Sequence, residues 1–119
     1  MSAGQSATGG SVVVIFEVMM KEGKTDDYFD LAAALRPELE KVDGFISVER
    51  FESLSSPGKY LSLSEWRDEE AVHAWRNHGE HMVAQEKGKA SIFADFRIRV
   101  THVARDYTLA DRTVAAEGA

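Results

Sequence analysis

At 119 residues, with 44% hydrophobic and 29% charged side chains, the chain has the size and make-up of one globular domain rather than two. A formal net charge of −6 excludes the basic field that nucleic-acid binding requires. The lack of cysteine excludes disulfides, thiolate metal sites and a cysteine nucleophile.

Residues 1–11, MSAGQSATGGS, have neither the basic start nor the apolar stretch of a signal peptide and are expected to form a flexible leader. The longest apolar run, Val12 to Phe16, is too short to cross a bilayer, so a cytoplasmic location is the default expectation. The domain proper spans 12–107, and 108–119 reads as a polar C-terminal tail.

Val12 to Met20 carries Val12, Val14, Phe16, Val18 and Met20 on one face. Val13, Ile15 and Met19 take the other, broken only by Glu17. A strand apolar on both faces is expected at the centre of its sheet. After the turn Lys21-Glu22-Gly23-Lys24, the residues Thr25, Asp26 and Asp27 offer helix-start chemistry. Tyr28, Leu31, Ala32, Leu35, Leu39 and Val42 then form an apolar stripe at helical spacing. Pro37 predicts a kink or a break, because an interior proline costs about 3 kcal/mol. Gly44 follows where a C-terminal cap needs glycine.

Phe45 to Leu54 alternates, with Ile46 and Val48 set against Ser47 and Glu49. Ser55-Ser56-Pro57-Gly58 is a turn, since proline fixes φ and glycine permits its positive range. Tyr60 to Arg67 alternates again, with Leu61 and Leu63 on one face and Tyr60, Ser62, Ser64 and Trp66 on the other. Together these predict a β-hairpin. Asp68 caps a second helix whose inward stripe is Ala71, Val72 and Trp75. Asn77-His78-Gly79 predicts an interruption, with a further helical stretch from about 80 to about 90. Phe93 to Ala104 is the last strand, with Phe96, Ile98 and Val100 opposed to Arg97, Arg99 and Thr101.

The order strand, helix, strand, strand, helix, strand is an α+β, ferredoxin-like βαββαβ arrangement: a four-stranded antiparallel sheet with two helices on one face. The opposite face must meet water or another chain. Phe45, Phe51, Tyr60 and Trp66 are expected there, with Glu49, Arg97 and Arg99. So many large aromatics argue for a homodimer through that face. No GxGxxG, GxxxxGK or GxSxG segment occurs, so nucleotide-binding and serine-hydrolase chemistry find no support.

From Tyr60 the sequence runs YLSLSEWRDEEAVHAWRNHGEHMVAQEKGKASIFADFRIRV. A strand ending in Trp66, a helix bearing Trp75, and the segment His81-Met82-Val83-Ala84-Gln85 resemble the antibiotic biosynthesis monooxygenase family. The resemblance extends over about 12 to 107, including the EGK turn after the first strand. It implies a dimeric α+β barrel in which two sheets pack face to face, each subunit holding a pocket between its helices and its own sheet. Some relatives oxygenate aromatic polyketides or quinols with dioxygen alone, and others bind and open haem. Haem-degrading members place an asparagine in the first strand, a tryptophan in the second helix and a haem-ligating histidine ten residues later. Here Trp75 matches, whereas Phe16 and Gln85 stand at the other two positions, so the resemblance does not favour a haem cofactor.

Within that frame Trp75, Phe16 and Phe93 would line a substrate pocket, although Trp75 also reads as a core residue. His78 or His81 would accept a proton from a phenolic substrate, imidazole titrating near neutrality. Asn77 and Gln85 could orient a quinone or phenol oxygen, or simply be solvated helix surface. His78 and His81 lack an evident third ligand, so no metal site is expected. The leading expectation is a cofactor-independent monooxygenase acting on a small aromatic, phenolic or quinol substrate. A non-catalytic dimeric module that binds a small ligand or haem is the alternative, and a dimeric accessory protein without chemistry is a third.

Overall fold

The structure, a computed structural model, describes residues 11–85 and 92–111, and the side chains among them other than those of 79–85. The expected leader up to residue 10, the tail from 112 and the helical stretch over 86–90 lie outside the described residues.

Six elements follow the expected order: β1 (Val12–Met20), α1 (Thr25–Glu40), β2 (Phe45–Glu52), β3 (Lys59–Trp66), α2 (Glu69–Gln85) and β4 (Phe93–His102). All strand pairs are antiparallel, in the order β2-β3-β1-β4, so β1 is interior as its two apolar faces require. The β2–β3 hairpin closes through Gly58 at φ +89°. Asp68 caps α2 by accepting the Ala71 N–H at 2.9 Å. Lys24 holds the corresponding place before α1 without a side-chain cap bond, and Asp26 and Asp27 fall in the first turn instead.

Three expectations are corrected. Of the kink or break expected at Pro37, the break is excluded, since α1 runs unbroken to Glu40; Leu35 and Leu39 flank the proline and both pack inward, so their burial outweighs the lost bond. Asn77-His78-Gly79 does not interrupt α2. The cost of a helical glycine, about 1 kcal/mol, is small beside the inward packing of Ala71, Val72 and Trp75. Finally, Phe45, Tyr60 and Trp66 lie on the helix side of the sheet, not the outer side. Val12 pairs with Trp66 and Val18 with Tyr60, which places these aromatics on the face of β1 that the helices cover. Of the expected outer aromatics only Phe51 is there, opposite Leu61. An irregularity between Phe45 and Ser47 shifts the β2 register, leaving Ile46 half exposed and turning Val48 inward.

The registers lay out the helix-facing side as a grid. One end row reads Phe45, Trp66, Val12 and His102 across β2, β3, β1 and β4. Next come Val48, Ser64, Val14 and Val100, then Arg50, Ser62, Phe16 and Ile98. The fourth row is Glu52, Tyr60, Val18 and Phe96. The core condenses at the two ends. Leu39 and Ala71 close over Val12 and Trp66, while Tyr28, Leu31 and Ile92 close over Val18. The outer face carries Val13, Ile15, Leu61, Leu63 and Phe51 around Glu17, which pairs with Lys59 and Arg99 at 3.1 Å each.

Candidate functional site

Between the two core clusters the middle of the sheet is not sealed. Val12, Val18 and Trp66 are 0–1% exposed, yet Val14, Phe16, Ser62 and Ser64 on the rows between them all keep solvent-accessible surface. The cause is side-chain size. Two serines occupy central positions of β3 where a packed sheet would hold branched apolar residues, and they fill less of the space under the helices than such residues would. Ser64 Oγ accepts the Trp66 indole N–H at 2.9 Å, fixing that hydroxyl. Ser62 Oγ makes no hydrogen bond within the described residues. Toward β4 the cover thins, leaving Phe96, Ile98 and Val100 roughly half exposed on the inner face.

Phe16 and Phe93, the predicted pocket pair, are brought together edge-on with ring centroids 6.0 Å apart. Phe96 completes the triangle at 5.9 and 6.1 Å. Trp75 is half-buried and packs against the other cluster, with Val72 beside it. It therefore belongs to the opposite end of the sheet from the Phe16, Phe93 and Phe96 rings.

His78 lies one helical turn beyond Trp75, ring centroids 6.1 Å apart, and reaches across to α1, where its Nε2 meets Glu38 Oε1 at 3.2 Å. That carboxylate is held below its ordinary range by the Lys41 ammonium first and by His78 second. With Nε2 turned to Glu38, the ring presents Nδ1 away from that contact. Asn77 is exposed on α2. His81 and Gln85 belong to the same helix, but their side chains lie outside those described.

Elsewhere an open depression of about 200 Å³ runs along the strand ends at Glu17, Met19, Lys59, Asp95 and Arg97. It is mostly charged and open, and it reaches the site only at its margin, through Val18 and Phe96. Among the described residues no cluster of three or more His, Asp or Glu is arranged to hold a metal, and no helix is long and apolar enough to cross a membrane.

Ser62, Ser64, Ile98, Val100 and the inward-facing Arg50 were not foreseen as site residues. A signal for the first two was present: in Tyr60-Leu61-Ser62-Leu63-Ser64-Glu65-Trp66, two small hydroxyls alternate between two large aromatics on one face.

Comparison with known proteins fits this architecture. The family model for antibiotic biosynthesis monooxygenase matches residues 11–87. A jasmonate monooxygenase from Pyricularia oryzae is 47% identical over 90 residues, which are 76% of this chain and 42% of that protein. The chain thus spans less than half the length of that relative. Among solved structures, Rv0793 from Mycobacterium tuberculosis superposes with a TM-score of 0.70 at 19% identity, covering 83% of this chain and all of that one. A mutant of MhuD with two manganese protoporphyrin IX molecules per active site superposes with a TM-score of 0.66 at 19% identity, covering 82% and 98%. On the family model and the fold together, this chain belongs to the antibiotic biosynthesis monooxygenase family.

Proposed function

We propose that the chain is a monooxygenase that oxidises a small ring substrate with dioxygen and needs no bound metal or flavin. The observation that carries this reading is the unsealed middle of the helix-facing sheet, floored by Ser62 and Ser64 and bounded by Phe16 and Trp75. An activated methylene flanked by carbonyl or aromatic groups loses a proton, and the resulting carbanion gives one electron to dioxygen. Recombination of the two radicals forms the C–O bond, and the second oxygen atom leaves as water, so that CH2 plus O2 becomes C=O plus H2O. The protein's part is to hold the ring, exclude bulk water and accept the proton. His78 Nδ1, oriented through the Glu38 contact, is suited to that last role, with His81 as the other candidate.

A haem cofactor of the kind held by haem-degrading relatives is not part of this reading. Gln85 offers an amide in place of an imidazole, and Phe16 fills the first-strand position with an apolar ring. The name of the Pyricularia relative favours a second substrate class, alicyclic keto acids such as jasmonate, over flat phenols. A phenol ionises at its O–H and a keto acid at the C–H beside its carbonyl, so each can give the anion that passes an electron to dioxygen. Oxygen uptake and incorporation of one labelled oxygen atom, measured on anthrones, hydroquinones and jasmonate, test the proposal. Uptake at least about tenfold above a Trp75→Ala variant is expected with one class. Uptake no higher than that variant across the whole panel rejects it.

We also propose that two copies pair through the outer sheet face, burying Val13, Ile15, Leu61, Leu63 and the half-exposed Phe51. Light scattering on the eluting protein should give twice the chain mass, and a Phe51→Glu or Leu63→Glu variant should elute at the mass of one chain.

A further inference from the structure

Resting on the unsealed middle of the helix-facing sheet as the binding site, we propose that Arg50 and Tyr28 form a carboxylate-recognition site at its β2 edge, so that the preferred ligands are small ring acids. Arg50 occupies an inward position of β2, two residues from the core residue Val48, and is half-buried there. Its Nε donates to the Tyr28 phenol oxygen at 3.4 Å, and its guanidinium carbon stands 5.8 Å from the centre of that ring. Tyr28 itself is only 4% exposed.

Among the described residues Arg50 has no counter-ion. Carboxylates pair with Arg36, Arg67 and Arg99, but no carboxylate among the described residues lies within ion-pair distance of Arg50. The acid nearest along its own face, Glu52, turns instead toward the Gly58 N–H at 3.5 Å. A guanidinium has five N–H donors, and only one is committed, to a neutral oxygen. A partly desolvated cation so placed is poorly compensated until an anion arrives. The remaining donors suit the two oxygens of a carboxylate. Because the Tyr28 oxygen accepts from Arg50, its own hydroxyl proton is available to the same anion.

The grid fixes where the rest of such a ligand goes. Arg50, Ser62, Phe16 and Ile98 share one row, and Ser62 has an uncommitted hydroxyl. With strands about 4.8 Å apart, Phe16 stands two strands, or about 10 Å, from Arg50. A carboxylate on Arg50 therefore lays a ring over Ser62 and against Phe16.

Calorimetric titration of the purified chain with naphthoate and with its methyl ester tests the site, since the two share a ring and differ in charge. The wild type is expected to bind the acid about tenfold or more tighter than the ester, the size of a charge-assisted bond. Arg50→Met should bring the acid down to the ester's affinity and leave the ester unchanged. Arg50→Lys should keep part of the preference, and Tyr28→Phe should lose several-fold on the acid alone. Equal affinity for acid and ester in the wild type, a preference that survives Arg50→Met, or no binding of either probe overturns the proposal. Should Arg50→Met fail to fold by circular dichroism, Arg50→Gln and Tyr28→Phe decide in its place. Acid-selective binding without oxygen uptake rejects the monooxygenase reading and leaves this site standing, whereas uptake without acid selectivity does the reverse.

Discussion

Phe16 and Ser62 face each other across β1 and β3 on the helix side of the sheet, a large ring at the edge of the Val18 cluster beside a hydroxymethyl that belongs to neither cluster. The proposed binding space follows from that mismatch, and one substitution should fill it. Ser62→Leu adds apolar volume where space exists, so it should keep or raise the melting temperature. The same change should weaken binding of naphthoate by at least about tenfold, by taking the space a ring needs. A lower melting temperature with binding intact would mean that the middle of the sheet is already packed.

The two tryptophans separate structure from function. Trp66 is 1% exposed, stacked edge-on against Phe45 with centroids 5.4 Å apart, and its indole N–H is satisfied by Ser64. Trp66→Ala removes a fully buried side chain and is expected to cost about 3–5 kcal/mol in urea unfolding. Trp75 is half-buried at the edge of the same cluster. Trp75→Ala should cost less than half as much stability while abolishing most ligand binding. Equal stability losses for the two would place Trp75 in the core alone.

How much of this was legible in the sequence depended on the kind of signal. The two-faced apolar pattern of β1, the Ser-Pro-Gly turn and the Asp68 cap are local, and each appears where its chemistry put it. Alternation in β3 correctly grouped Tyr60, Ser62, Ser64 and Trp66, but period two says only which residues share a face. It does not say which face the helices cover, and that is decided by pairing with β1 across a long separation in sequence. The place of Ser62 and Ser64 was missed for the same reason: two serines look polar in one strand and become part of a candidate site only once Phe16 and Val14 lie beside them. The continuity of α2 through Gly79 likewise reflects packing of residues before it, which overrides a local breaker.

Gly44 and Gly58 both have positive φ, at +97° and +89°, yet their surroundings differ. A Cβ at Gly44 would lie 2.7 Å from the Ala71 Cβ, while at Gly58 nothing lies within 4 Å. Either alanine meets the backbone penalty of about 1–2 kcal/mol. Gly44→Ala must in addition push α2 away from the β2 start, so its loss in urea unfolding should exceed that of Gly58→Ala by at least about 1 kcal/mol. Equal losses would show that the helix start yields freely.

Asp68 ties stability to pH through the start of α2. Its Oδ1 accepts the Ala71 N–H at 2.9 Å and its Oδ2 accepts from Arg67 Nε at 3.1 Å. The backbone bond first, and the guanidinium second, hold its carboxyl below the ordinary value of 3.8. A depressed native value means that the ionised form is favoured by folding. The contribution is therefore complete above the unfolded-state value and disappears as pH falls through the lower native one. Asp68→Asn keeps an acceptor for Ala71 but cannot titrate. The stability gap between wild type and Asp68→Asn should be constant from pH 7 to about pH 5, then shrink on acidification toward pH 3. At neutral pH, Asp68→Ala should lower the melting temperature by on the order of 5 °C, the usual scale for losing a helix cap in a domain of this size. Glu17 and Glu38 are also held below the ordinary range, but they are common to both proteins and cancel in the difference. A gap that stays level down to pH 3 would remove Asp68 as the source and leave the cap to geometry alone.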